Sequence, residues 1–314
     1  MHRVQIPAPF KSTLKYDTIR RMFALASPSR VVKIPRFSGS LPDRPLYVYL
    51  PPGYDEGDEK RYPVLFMHDG QNVFEAFVQD CYLGKSWQAD IAADRLITEG
   101  RMRPAIIVGV GNAGDLRMVE YLPPYMTLRM KLGRQRKGRL LPGSADETAA
   151  YYIEVVAPFI EAAYRVLPGR EHRATCGSSL GGLFSSYIAW EHEDFARHHG
   201  VVSPAFWLTR NQEGGLEMLE RMAFMDRPDV RIWLDSGTVD RHESSTAGDD
   251  GMALTVQARD ILLEKGFELG RDFQYYLDEG AAHNEAAWAT RMPKILEFLF
   301  PGEKSKTNSN LSYF

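Results

Sequence analysis

The stretch that most constrains this chain is "ATCGSSLGGLF", residues 174–184, where two serines sit among three glycines. A β-like run precedes it and an amphipathic, helix-like run follows. The pattern Gly-x-Ser-x-Gly is met by Gly177, Ser179 and Gly181. Centring it on Ser178 would require glycine at Cys176 and Leu180, and fails. A hydroxyl on a sharp strand-to-helix turn needs a strained backbone and small neighbours two residues to either side. The turn exposes the oxygen and sets the free amides of the helix N-terminus beneath it. The glycines therefore serve Ser179, the candidate nucleophile.

The rest of the chain supplies a setting for such a turn. "VVKIPRF" (31–37) and "PLYVYLP" (45–51) read as two opening strands joined by the turn "GSLPDR". "PVLFMHD" (63–69) and "AIIVGV" (105–110) are apolar throughout, as strands covered on both faces should be. A helical pattern runs from Ser86 to Thr98, and another begins at "SADE", where Ser144 and Glu147 match a capping box. Then follow strand "RATCG", helix "LGGLFSSYIAWEH", strand "HGVVS", helix "LEMLERM", strand "VRIWLD", helix "ALTVQARDILLEKG", strand "FQYYLD" and a closing helix. In that last helix Trp288, Met292, Ile295 and Leu299 recur at the spacing of one buried face. Alternating strands and helices imply an α/β fold, with a mostly parallel central sheet, antiparallel N-terminal strands and helices on both faces. We expect an N-terminal extension over 1–29, one domain over 30–301 and a polar tail over 302–314.

A serine hydroxyl needs a base, and the base needs an orienting carboxylate. On sheets of this kind the chain order is serine, acid, histidine. Only His242 and His283 lie well beyond Ser179 in loop-like contexts, and His283 follows the last strand, at the sheet edge where ligands gather. His283 is the expected base. For the acid, "VRIWLDSGTVDRHE" offers Asp235, Asp240 and Glu243. Asp235 is placed at the strand end; Asp240, in the loop beyond, is favoured, with Glu243 as its alternative. The oxyanion needs two backbone donors. The amide of Leu180 is one, and in "FMHDGQNVF" Gly70 lets the chain turn so that the amide of Gln71 is the other. His68 and Asp69 are read as shaping that loop.

Taken together, "YVYLPPGYD", "YPVLFMHDGQNVF", "TCGSSLGGLFSSYIAW", "VVSPAFW", "SGTVD" and "GAAHNEAAWATRMPKILEFLF" resemble the "Putative esterase" family of α/β-hydrolases, nearest its enterochelin-esterase-like (esterase D-like) branch. Several blocks agree in order between about residues 30 and 300. The resemblance implies an α/β-hydrolase fold and a serine esterase working through an acyl-enzyme without cofactor or metal. It implies Ser179 as nucleophile, His283 as base, Asp240 as acid, and Gln71 with Leu180 as oxyanion donors. The ester would be of siderophore, aryl or acyl-sugar type. An acyltransferase with the same acyl-enzyme, or a hydrolase-fold binding protein without catalysis, are the alternatives.

Other features point elsewhere or nowhere. "GVGNAG" (109–114) has dinucleotide-binding spacing, but "DLRMVEYLPPYM" follows, with two prolines where a helix is needed. Residues 111–143 read as one long loop, a lid or binding segment, with Arg129, Lys131, Arg134, Arg136, Lys137 and Arg139 crowded together. Such a run is either a solvated face or a funnel for an anionic ester. Arg117 in this segment and Trp207 in "SPAFW" are the candidate substrate contacts. "WEHEDFARHHG" gathers His192, His198 and His199 without metal-site spacing, and surface positions are expected for them. The net charge of −3 argues against nucleic acid or an acidic membrane surface as partner. Two cysteines, Cys81 and Cys176, build no disulfide framework, and free thiols with a cytoplasmic location are expected.

Overall fold

The computed structural model describes residues 27–57, 59–131, 138–239 and 251–303. Most of the expected N-terminal extension and polar tail fall outside them, as do Asp240, His242 and Glu243. The strands are β1 (Arg30–Phe37), β2 (Arg44–Leu50), β3 (Val64–His68), β4 (Ile106–Val110), β5 (Thr127–Met130), β6 (Arg139–Pro142), β7 (Arg173–Ser178), β8 (His198–Val202), β9 (Arg231–Val239) and β10 (Phe273–Ala282). The α-helices are α1 (Ala89–Glu99), α2 (Arg117–Glu120), α3 (Ala145–Tyr151), α4 (Ala157–Ala163), α5 (Leu180–Glu191), α6 (Glu217–Phe224), α7 (Met252–Glu264) and α8 (Glu285–Leu299). A π-helical turn, Tyr152–Val156, joins α3 to α4.

One eight-stranded sheet runs in the order β1-β2-β4-β3-β7-β8-β9-β10. The first two strands pair antiparallel and β2 meets β4 antiparallel, while every pairing from β4 to β10 is parallel. Strand alternation divides the apolar side chains between the two faces. Leu46, Val48, Phe66, Ile106 and Val108 pack with α3 to α7 in one core. Tyr47, Tyr49, Leu65, Met67 and Ile107 pack with α1 and α8 in the other. The stripe Trp288, Met292, Ile295 and Leu299 is buried as its spacing requires. Because β3, β7, β8, β9 and β10 are parallel, the residues after each of them emerge at one carboxyl edge of the sheet.

Three local expectations need correction. Ser144 does precede α3, but its hydroxyl donates to the carbonyl of Val119 at 3.4 Å instead of capping the helix. Residues 111–143 are not one loop: they hold α2 and the antiparallel hairpin of β5 and β6. Arg129 and Arg139 lie on that hairpin, while Arg134, Arg136 and Lys137 fall outside the described residues. His198 and His199 are not on the surface. They open the inner strand β8 and are buried, and only His192 keeps partial exposure. The Nε2 of His199 lies 3.0 Å from the Ala196 carbonyl, so it carries the proton, and Nδ1 accepts from the Thr175 hydroxyl at 2.8 Å.

Burial lowers the imidazoles of His198 and His199, and that of His68 in β3, from 6.5 to about 3. Between those values the unfolded chain binds protons that the folded chain does not, so stability falls as pH drops below about 6.5. We expect a loss of order 1 kcal/mol per imidazole per pH unit in that window until the chain unfolds. Urea unfolding between pH 7 and pH 5 measures it. A flat unfolding free energy across this range would contradict the burial of three neutral imidazoles.

Candidate active site

Ser179 joins β7 to α5 with φ 57° and ψ −119°, a backbone conformation that a residue with a Cβ adopts only under strain. Ser178, the last residue of β7, is buried at 3% exposure, whereas Ser179 is partly exposed. The glycines have a visible cause. A Cβ on Gly177 would lie 2.6 Å from His68 Cδ2 and 2.8 Å from the Gly181 carbonyl carbon. One on Gly182 would lie 2.6 Å from the Val202 carbonyl oxygen. The peptide of Ser179 is held on both sides: its amide donates to the Val202 carbonyl at 3.0 Å, and its carbonyl accepts from Ala205 at 2.9 Å and Leu183 at 3.0 Å.

His68 sits under this turn. Its ring nitrogens lie 3.0 Å from the Tyr152 and Ser185 hydroxyls, and its ring packs on Phe184, so it acts as a neutral spacer. The next residue, Asp69, takes the left-handed conformation at φ 57° and ψ 49°. Gly70 follows with its Cα against the carbonyl of Gly109, which a Cβ would overlap. The Asp69 carboxylate is gripped by Arg117 Nε and Nη2 and by Asn112 Nδ2, all at 2.6 Å, and its amide donates to the Tyr121 hydroxyl at 3.2 Å. Burial pushes the carboxyl of Asp69 up, but the charge and hydrogen bonds of Arg117, with those of Asn112, outweigh it and hold it below the usual range. Arg117, expected as a substrate contact, is thus placed in an ion pair that braces the loop carrying Gln71. Among the described residues neither the Gln71 amide nor the Leu180 amide donates to a backbone carbonyl. The Gln71 side chain accepts from the Asn112 amide at 3.4 Å, and its carbonyl from the Cys81 thiol at 3.2 Å.

His283 comes directly after β10 and directly before Asn284, whose side chain caps α8 by accepting from the Ala287 amide. Its ring stands between two tryptophans, 5.6 Å from Trp207 and 5.1 Å from Trp288, edge to face with each. Trp207 is 37% exposed, so it is not a core side chain. It lies two residues beyond Ala205, whose amide holds Ser179, and this short segment brings the serine, Trp207 and His283 to one edge of the sheet. A cleft of about 330 Å³ flanks the first turns of α8, lined among others by Glu75, Lys85, Ser86, Gln88, Ala289 and Thr290. Ser179 and His283 do not line it.

The candidate acids Asp240 and Glu243 lie outside the described residues, which resume after β9 at Gly251. Asp235 differs from its expected place. The strand runs on to Val239, leaving Asp235 in mid-strand at 0% exposure, bonded to Trp233 Nε1 at 2.6 Å and Arg291 Nη1 at 2.8 Å. Sequence reading missed Arg291 altogether. It is fully buried, one turn beyond Trp288, and a charged residue bordering an apolar helix stripe was the available signal. Among the described residues no three His, Cys, Asp or Glu side chains gather as a metal ion would need.

Comparison with known proteins identifies the family and the fold. Residues 41–299 match a family model described as "Putative esterase". The chain is 21% identical over 264 residues to uncharacterized protein YbbA of Bacillus subtilis (strain 168), covering 84% of this chain and 95% of that one. It is 24% identical over 261 residues to the endo-1,4-beta-xylanase/feruloyl esterase of Xylanibacter ruminicola, covering 81% of this chain and 29% of that protein. Among solved structures, the IroE-like serine hydrolase from Shewanella oneidensis superposes with a TM-score of 0.66 at 18% identity, over 86% of this chain and 80% of that one. The fold is that of an α/β-hydrolase.

If the Ser179 backbone is strained, glycine should relieve it. Ser179→Gly is expected to unfold at higher denaturant than Ser179→Ala, by about 1 kcal/mol, since glycine alone takes this φ without a Cβ penalty. Equal midpoints for the two variants would show that the turn carries no strain.

Proposed function

We propose, on the premise that this chain belongs to the "Putative esterase" family and is a carboxylic ester hydrolase, that it cleaves its ester through an acyl-enzyme on Ser179. His283 takes the proton from the Ser179 hydroxyl as the oxygen attacks the ester carbonyl. The oxyanion is held by the amides of Gln71 and Leu180. His283 then returns the proton to the leaving alcohol, and a water activated by the same imidazole frees the acid. Asp240 is the carboxylate assigned to orient His283.

The observation that carries this reading is the conformation of Ser179, φ 57° and ψ −119°, on a strand-to-helix turn cleared by three glycines. A non-glycine residue held in such a region costs about 1–3 kcal/mol and persists where the surroundings enforce it. The two amides without backbone acceptors support the oxyanion assignment, because donors left open at a helix start and a tight turn need a partner. Trp207, half exposed beside His283, favours an aryl or otherwise flat acyl group, in keeping with a relative named as a feruloyl esterase.

Short-chain p-nitrophenyl esters test the nucleophile. Ser179→Ala is expected to fold normally and to lose at least about a thousandfold in kcat, with no fluorophosphonate labelling of the variant. Retained turnover would remove Ser179 from the mechanism. A well-folded wild type that neither turns over nor labels would favour a binding protein. Trp207→Ala is expected to raise KM about tenfold for aryl-acyl esters and much less for acetyl esters. An equal change for both would take Trp207 out of the acyl pocket.

A further inference from the structure

Arg291 is the one arginine side chain among the described residues with 0% exposure, and its place points beyond a packing role. A buried guanidinium is tolerated only where its donors are matched. Here the partners come from three separate elements. Nη1 donates to Asp235 Oδ1 in β9 at 2.8 Å and to the hydroxyl of Ser203, just after β8, at 2.8 Å. Nε donates to Asp278 Oδ2 in β10 at 2.9 Å.

Each arm leads to a residue of the reaction. Ser203 is a non-glycine residue at φ 39°, and its amide donates to the Asp235 carbonyl at 3.0 Å and to Asp235 Oδ1 at 3.1 Å. The residue before it, Val202, accepts the Ser179 amide, and Ala205, two residues after it, donates to the Ser179 carbonyl. Fixing Ser203 therefore fixes the segment that clamps the Ser179 peptide. Asp278 stands five residues before His283 and Arg291 eight residues after it. Between Asp278 and Ala282 the pairing of β10 with β9 loses register, and Ala281 crowds the backbone of Gly237. The guanidinium spans the base of that irregular stretch. Trp288, on the same helix, adds an indole hydrogen bond to the Ser203 hydroxyl at 3.2 Å and an edge contact to the His283 ring.

We propose that Arg291 is a positioning residue that sets the approach of the His283 imidazole to the Ser179 hydroxyl, by tying the segment after β8 and the end of β10 to one rigid fork. It touches no substrate. The inference rests on the assignment of Ser179 and His283 above. Arginine suits the task because its planar fork fixes angles as well as distances, which a lysine ammonium does not.

The test compares wild type, Arg291→Lys and Asp278→Ala on p-nitrophenyl esters, each normalised to sites titrated with a fluorophosphonate, alongside Ser179→Ala, which has no site to titrate and is normalised to folded protein. Arg291→Lys keeps the buried charge and loses the fork. Asp278→Ala removes one arm at a carboxylate with 21% side-chain exposure and leaves the guanidinium its contacts with Asp235 and Ser203. Loss of position by a fraction of an ångström is expected to lower kcat per titrated site by about ten- to a hundredfold for Arg291→Lys, and about tenfold for Asp278→Ala. KM should stay within about twofold, and the rate of Ser179 labelling should fall with kcat. A merely structural role lowers the titrated fraction and leaves kcat per site unchanged, and that result in Asp278→Ala, or in a folded Arg291→Lys, overturns the proposal. Turnover surviving in Ser179→Ala would instead sink the assignment on which it rests, so the two failures are distinguishable.

Discussion

The structure depends on the contact between the end of β3 and the turn that follows β7. His68, Gly177 and Gly181 pack so closely there that a single Cβ on Gly177 would fall within 2.6 Å of the imidazole. That approach lets neighbouring parallel strands present Gln71 and Leu180 at one edge, and it leaves Ser179 no relaxed conformation. Interiors packed to crystal density deform little, so strain placed in such a contact is held there. Burial keeps the spacer uncharged, since a protonated His68 would have to sit among Tyr121, Tyr152 and Phe184 without water.

Around this contact the chain uses buried charge where a larger apolar core could have served. The single turn of α2 is pinned at both ends, by Arg117 to Asp69 and by Glu120 to Arg44 in a bidentate pair at 2.8 and 3.0 Å. Buried pairs add little net stability over apolar packing. What they add is direction: a carboxylate gripped at two or three points holds its backbone in one place, and Asp69 lies two residues from Gln71. The cluster of Arg291, Asp235, Asp278 and Ser203 repeats the arrangement on the other side of Ser179. Two charged clusters thus flank the turn, one behind the assigned oxyanion donors and one behind the assigned base.

The backbone of the candidate site was in part legible along the chain because its logic is local. The glycine spacing around Ser179 and the glycine after Asp69 each report a backbone requirement within a few residues, and His283 stands between the last strand and the last helix. Period-two and 3.6-residue patterns likewise placed the strands and α8, since side-chain direction follows from the backbone alone. Misreadings came where a polar residue's fate turned on distant partners. His199 looked like a surface residue until Thr175, 24 positions away, and Ala196 supplied its hydrogen bonds. Arg117 likewise meets a distant partner, Asp69, 48 positions away, which no local pattern announces. The basic run of 129–139 hid a hairpin, because strands of four residues are too short for their alternation to announce them.

The sequence by itself determined the order of the main-sheet strands and the helices between them, the α/β class, and the turn on which Ser179 stands, because hydrophobic periodicity and glycine placement act over a handful of residues. Only the tertiary structure decided which charged groups are buried and what they hold. Arg291 meets Asp235 across 56 positions and Ser203 across 88. The free energy of a buried charge depends on the groups facing it in space, and no stretch of this chain carries both sides of those contacts.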